Sequence, residues 1–212
     1  MEGELKSLKL ALSDQNLELL PDYESRVEVL KELSFIDENS TVLLKGRVAC
    51  EINSAPELIL TELILDNILA DYTPEEAVAL LSVFVFVEKT ESVPEIPPRI
   101  AQGLDTIYAI ADNVENCQLR RNVVFDDFRE KYKPGLVEVV YEWARGMPFS
   151  EITNLTDVPE GTIVRVITRL DETCREVRDA ARVIGDAELF QKMEEAQALI
   201  KRDIVFAASL YL

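Results

Sequence analysis

Apolar residues recur at helical spacing along this chain, most persistently between Pro159 and Ile184. There Ile163, Ile167, Leu170, Cys174, Val177, Ala181 and Ile184 follow one another at steps of 4, 3, 4, 3, 4 and 3, an unbroken seam down one side of a helix. Pro159 suits a first turn, where no backbone donor is needed, and Gly185 suits the residue just past the end. Twenty-six residues give a helix of roughly 39 Å, long for a globular domain. Its other faces carry Arg165, Arg169, Arg175, Arg178 and Arg182, interleaved with Asp171, Glu172, Glu176 and Asp179.

Elsewhere the pattern predicts shorter helices. Residues 1–20 hold apolar positions with no sustained period and read as an arm, after which Val27, Leu30 and Leu33, with Tyr23 a turn earlier, line one side of a helix. Phe35-Ile36 and Val42-Leu43-Leu44 flank the turn cluster Asp37-Glu38-Asn39-Ser40, which predicts a small β-hairpin, the remnant of a winged-helix module. Pro56 opens a helix to about Ala70, and Thr73-Pro74-Glu75-Glu76 has the form of a capping box with proline in first position. The helix that follows is apolar on nearly every face from Ala77 to Val87, so it is expected at the centre of a bundle, with Glu88 and Lys89 emerging at its end.

Prolines 94, 97 and 98 make 92–99 a linker. A long helix then runs from about Pro98 to Arg121, with Ile100, Leu104, Ile107, Ala111, Val114 and Leu119 near one face. After Lys133-Pro134-Gly135 come a helix ending at Gly146, a short helix from Pro148 and Ser150, and the long helix. Asp186 caps a last helix with Leu189, Met193, Ala196 and Ile200 inward, and IKRDIVFAASLYL closes the chain. The expected architecture is an all-α helical bundle with one small β feature near the front. It divides into an arm and helix over 1–35, a hairpin-like connector over 36–55 and the bundle over 56–212.

Charge narrows the chemistry. The net charge is −18, and residues 1–98 hold 7 Lys+Arg against 20 Asp+Glu, which concentrates the acidity in the front half. Such a surface repels nucleic acid as a whole, so any nucleic-acid role falls to a local patch or to basic partners. An acidic helical protein-interaction or scaffold domain is the competing reading. The chain has no histidine, which removes Ser-His and Cys-His catalysis and the commonest zinc ligand. Cys50, Cys117 and Cys174 are far apart in apolar runs and are expected to be buried free thiols. The seven glycines never form a P-loop spacing, and no acidic cluster has metal-ligand spacing, so no catalytic or metal residue is assigned. No stretch reads as a membrane span or leader, and an intracellular protein is expected.

Phe149 to Arg182 has helix–turn–helix form, although a helix with acids among its arginines suits DNA readout poorly. On a helical wheel Arg165, Arg169, Glu172 and Glu176 fall within about 60° of one another. That strip is either a ladder of surface ion pairs or the lining of a channel. In the second case arginine meets phosphate and glutamate accepts from a base edge or a 2′-OH.

The runs VEVVYEWARGMPFSEI (137–152), EGTIVRVITRLDETCREVRDAA (160–181) and IKRDIVFAASLYL (200–212), with LKGRVACEINSAPELILTELIL (44–65) and EEAVALLSVFVF (75–86), carry a resemblance. The sequence is similar, over about 25–212, to the C-terminal (DSHCT) helical domain of the DExH-box RNA helicases that serve the RNA exosome. It looks nearer to the cytoplasmic superkiller type than to the nuclear exosome helicase. The resemblance implies a helical bundle packed on two RecA-like motor domains, with the long helix as a ratchet helix across the path of single-stranded RNA. The family's RNA-contacting positions fall on Arg169, Glu172 and Glu88, with Arg165 their neighbour on the strip. It further implies a C-terminal piece of a longer helicase, not an enzyme by itself. ATP and Mg would be bound in the absent motor domains, and superkiller-complex subunits and the exosome would be partners through the whole protein.

Overall fold

A computed structural model describes residues 2–202 (of Glu2 and residues 10–19, the backbone alone). The C-terminal run Asp203–Leu212, part of the resemblance, lies outside the described residues. The helices are α1 (Glu2–Glu32), α2 (Leu44–Cys50), α3 (Glu57–Leu65), α4 (Pro74–Leu81), α5 (Pro98–Arg120), α6 (Phe128–Lys131), α7 (Val137–Ala144), α8 (Phe149–Ile152), α9 (Glu160–Ile184) and α10 (Ala187–Ile200). Among the described residues there is no sheet, and the fold is an all-α bundle.

α9 is the axis of the bundle. Ile163, Ile167, Leu170, Cys174, Val177 and Ala181 are fully buried, and Ile184 packs half-buried at the end. Burial also takes in Thr162, Val164, Val166, Thr173 and Ala180, because α10 covers one flank while α2 and α4 cover others. Gly185 sits in the left-handed region at φ 73°, where a side chain is strained, and Asp186 Oδ1 accepts the Leu189 N–H at 3.0 Å. This two-residue turn folds α10 back along α9.

The capping box at α4 forms in both directions: Thr73 N–H donates to Glu76 Oε1 at 3.0 Å, and Glu76 N–H to Thr73 Oγ1 at 3.2 Å. Every residue from Ala77 to Phe86 is buried, but Val87, the last of the predicted run, is 50% exposed, because the chain has by then left the helix. The helix is shorter than its pattern suggests. It ends at Leu81, where the Ser82 hydroxyl donates to Ala79 O at 2.6 Å and a 3₁₀ turn follows over Ser82–Phe84. Val85 to Glu88 leave the core as irregular chain, so Glu88 stands on a loop and not at a helix end. α5 crosses close above α4, since a Cβ on Gly103 would come within 2.8 Å of Leu80 Cδ2.

Several expectations fail, each for a local reason. The hairpin at 36–44 is reduced to one antiparallel bridge between Ile36 and Val42. Asp37 Oδ1 gathers the N–H groups of Asn39 and Thr41 at 2.9 and 2.8 Å, and α2 starts at Leu44, leaving no room for a second strand. Val42, Leu43 and Leu44 are exposed. On α5, Leu119 is 62% exposed and Cys117 faces inward instead. Of the three cysteines only Cys117 and Cys174 are buried; Cys50 ends α2 on its outer side and is exposed. The predicted helix to Ala70 stops at Leu65, where Asn67 turns into the left-handed region at φ 58° before a 3₁₀ turn over Ile68–Asp71.

The front arm is helical. α1 runs unbroken to Glu32 with Pro21 inside it, and Leu5, Leu8, Leu20 and Tyr23 are exposed along it. It meets the bundle at its last turns, where Val29 and Leu33 pack with Cys117 and Val123. Glu32 accepts from the Cys117 thiol at 3.0 Å, Arg120 Nη2 at 2.5 Å and Arg121 Nε at 3.2 Å. Those bonds, the thiol's foremost, hold its carboxyl down at about 2, and burial pushes the Cys117 thiol up to about 11. At the other end of the bundle Trp143 is buried and donates from Nε1 to Ile200 O at 3.0 Å. The Arg202 guanidinium stacks 3.3 Å from the Trp143 ring and caps the end of α7 through Trp143 O and Met147 O at 2.8 and 2.6 Å.

Candidate nucleic-acid interface

α9 is buried on most sides, and among its exposed residues Arg165, Thr168, Arg169 and Glu172 lie side by side along its first half. Beside it runs the chain that leaves α4, and the two enclose an open groove of about 490 Å³ floored by Val85, Val87 and Val166. Glu88, Arg165, Arg169 and Glu172, separate in sequence, all line this groove.

Their contacts differ. The Glu88 carboxylate accepts from the Thr162 hydroxyl at 3.2 Å and faces Arg165 Nη2 at 3.7 Å, while Arg165 Nη2 also donates to Thr162 Oγ1 at 2.9 Å. Both side chains stay half exposed or more, at 50% for Glu88 and 64% for Arg165, so the pair is a weak one in water. Among the described residues Arg169 donates from Nε alone, to the Ser54 carbonyl at 3.4 Å, and its two terminal nitrogens make no hydrogen bond there. Glu172 is exposed and has no ion pair among the described residues. The strip is therefore not a ladder of surface ion pairs.

Glu176, read as the fourth member of that strip, is not part of the groove. It is buried, and its Oε1 accepts from Asn53 N, Ser54 N and Ser54 Oγ at 2.8, 2.8 and 2.7 Å. A helical wheel places 176 beside 172, but the loop between α2 and α3 lies over that turn, a neighbour that sequence spacing does not reveal. Arg175 pairs with buried Asp171 at 3.3 Å, and Arg178 and Arg182 lie over the Phe190 ring. None of these three arginines lines the groove. The helix–turn–helix form exists in outline as α8, a turn and α9, but Thr162, Ile163 and Val164 in the early turns of α9 are buried, so the helix cannot enter a groove of DNA end-on.

Val87 and Glu88 form the groove's other edge, and the chain that continues from them to Pro97, outside the groove, is fastened at several points. Asp157 accepts from Thr90 Oγ1 and from Glu91 N at 3.1 Å, and its own N–H donates to Ser92 Oγ at 2.9 Å. Glu95 N–H donates to Glu138. Those bonds, the Thr90 hydroxyl's foremost, hold the Asp157 carboxyl below the usual carboxylate range. Sequence reasoning placed Glu176 on the wrong surface and missed Asp157 altogether; an acid directly before helix-start residues reads as a turn, not as a staple across 65 residues.

Two guanidinium groups and two carboxylates around an apolar floor suit a ligand with alternating anionic, donor and apolar parts. Arginine can bind a phosphate through two parallel N–H bonds, and a carboxylate accepts from a hydroxyl or an exocyclic amine. Residues 39–207 match the DSHCT (NUC185) domain, and the chain belongs to that family. Among curated proteins it is 54% identical over 220 residues to "Antiviral helicase SKI2" of Saccharomyces cerevisiae, covering 100% of this chain and 17% of that one. It is 48% identical over 213 residues to "Superkiller complex protein 2" of Homo sapiens, again covering 100% of this chain and 17% of that one. To the human "Exosome RNA helicase MTR4" it is 40% identical over 212 residues, covering 99% of this chain and 20% of that one. The chain thus spans about a sixth of the length of the superkiller proteins it resembles, and its identity to them exceeds that to MTR4. No described helix is long and apolar enough to cross a membrane.

Proposed function

We propose that this chain is the RNA-guiding domain of an ATP-dependent 3′-to-5′ RNA helicase of the superkiller type, active in cytoplasmic mRNA decay. Its α9 groove holds single-stranded RNA as it leaves the RecA-like motor domains on the way to the exosome. The reading rests on one observation above the others: Glu88, Arg165, Arg169 and Glu172 come together in a single open groove along α9. Arg169, with its terminal nitrogens unused, takes a phosphate; Glu172 and Glu88 take hydrogen bonds from the 2′-OH or base edges. ATP and Mg²⁺ belong to the motor of the longer protein, which also engages the superkiller-complex subunits. The mixed charge limits how tightly RNA is held, which suits a surface that must pass the strand along.

The full-length helicase carrying Arg169→Ala with Glu172→Ala tests this. RNA unwinding is expected to fall about 10-fold or more, the size expected for losing charge-assisted hydrogen bonds, while ATPase activity without RNA is retained. Unwinding at the parental rate would overturn the RNA-guiding role.

A further inference from the structure

Arg169 is held at one point, the Ser54 carbonyl, and that carbonyl is itself fixed with unusual completeness. The Ser54 N–H and hydroxyl both bond to Glu176 Oε1, at 2.8 and 2.7 Å, and the preceding Asn53 N–H bonds to the same oxygen at 2.8 Å. The Ser54 hydroxyl also lies 2.7 Å from Thr173 Oγ1, which donates in turn to Arg169 O at 3.1 Å. Ser54, Thr173 and Glu176 are all buried, whereas Arg169 is exposed. No lysine or arginine lies within ion-pair distance of Glu176 among the described residues.

A buried carboxylate without a cation is expensive unless hydrogen bonds replace its water, and here three donors do so at one oxygen. With its N–H and its hydroxyl both tied to Glu176, Ser54 is anchored from two sides, and its carbonyl lies 3.4 Å from Arg169 Nε. We infer that Glu176, acting through Ser54 and Thr173, is a positioning residue for the Arg169 guanidinium, holding Nε so that the two terminal nitrogens face the groove together. The inference rests on the reading of the groove as an RNA path. It adds to that path a buried relay from the loop between α2 and α3, which touches no RNA itself.

The test is a double-mutant cycle in the full-length helicase, reading nucleotide-free affinity for a fluorescent oligouridine by anisotropy, with thermal unfolding in parallel. Glu176→Gln keeps the shape and removes the charge; Ser54→Ala, which removes only the hydroxyl bonds, serves if the first variant does not fold. Each is expected to weaken RNA binding about 3- to 10-fold when Arg169 is present and to have no further effect on top of Arg169→Ala. Equal weakening in both backgrounds, tracking a fall in unfolding temperature, would overturn the positioning role in favour of simple support. No weakening by either variant, with Arg169→Ala still weakening binding, overturns it as well. If Arg169→Ala itself leaves affinity unchanged, the groove reading fails first and the relay fails with it.

Discussion

α1 and α9 are the two longest helices described, 31 and 25 residues, and they are used in opposite ways. α9 carries apolar residues at steps of three and four and is enclosed on most sides. α1 has no such period, exposes Leu5, Leu8, Leu20 and Tyr23, and, among the described side chains, packs on the bundle near its end. Length follows from the scarcity of strong breakers, since even Pro21 is accommodated inside α1. Burial follows from period, because only a continuous stripe can face one neighbour over many turns. A strip such as 165–172 acquires meaning only on the second kind of helix, where nearly everything else is occupied.

The contrast can be broken most forcefully at matched leucines. Leu170→Ala, at a fully buried seam position, is expected to destabilise the domain by about 2–5 kcal/mol. Leu8→Ala on exposed α1 should stay within about 0.5 kcal/mol of the parent. Urea titrations followed by circular dichroism compare the two; equal effects would show that α1 is as integral to the fold as α9. A smaller effect is expected where α9 hands over to α10. Gly185→Ala forces a side chain into φ 73° and should lower stability by about 1 kcal/mol, seen as a shift in the same titration.

The smallest effect sharpens the comparison from the side of α1. The Glu32 carboxyl is held at about 2, below its ordinary 4.5, by the Cys117 thiol first and then Arg120 and Arg121. A lowered carboxylate contributes fully above its unfolded value and loses that contribution as pH falls through the folded one. The end of α1 should therefore loosen from α5 as the solution is acidified from about 4.5 toward 2, without loss of the α9 core. Hydrogen exchange at α1 amides checks this, and Glu32→Gln should show the loosened exchange already at neutral pH and little further change on acidification.

What could be read from the chain divides along the same line. The α9 seam, the two-way box at Thr73 and Glu76 and the all-round burial of 77–86 depend on spacing within one segment, and all stand in the structure. Of the strip read from the wheel, Arg165, Arg169 and Glu172 line one groove and Glu176 does not; Glu88 joins them from a loop, because Ser82 ends α4 early. The failures occur where another segment decides. Phe35-Ile36 and Val42–Leu44 look like strands until the Asp37 side chain closes the loop and α2 begins. Glu176 looks like a surface acid until Asn53 and Ser54 are laid over it. Leu119 is an apolar residue at the wrong angle, and Cys117, which a wheel on Val114 would favour, takes the contact with α1.

The chain that runs from the groove's Val87–Glu88 edge to Pro97 is tied to the bundle at several points. Prolines 94 and 97 and the bonds to Asp157 and Glu138 remove most of that segment's conformational freedom when the chain folds. A ligand held as proposed at the adjoining edge would meet a surface that need not be ordered a second time, and the entropy lost on binding would be mainly the ligand's own.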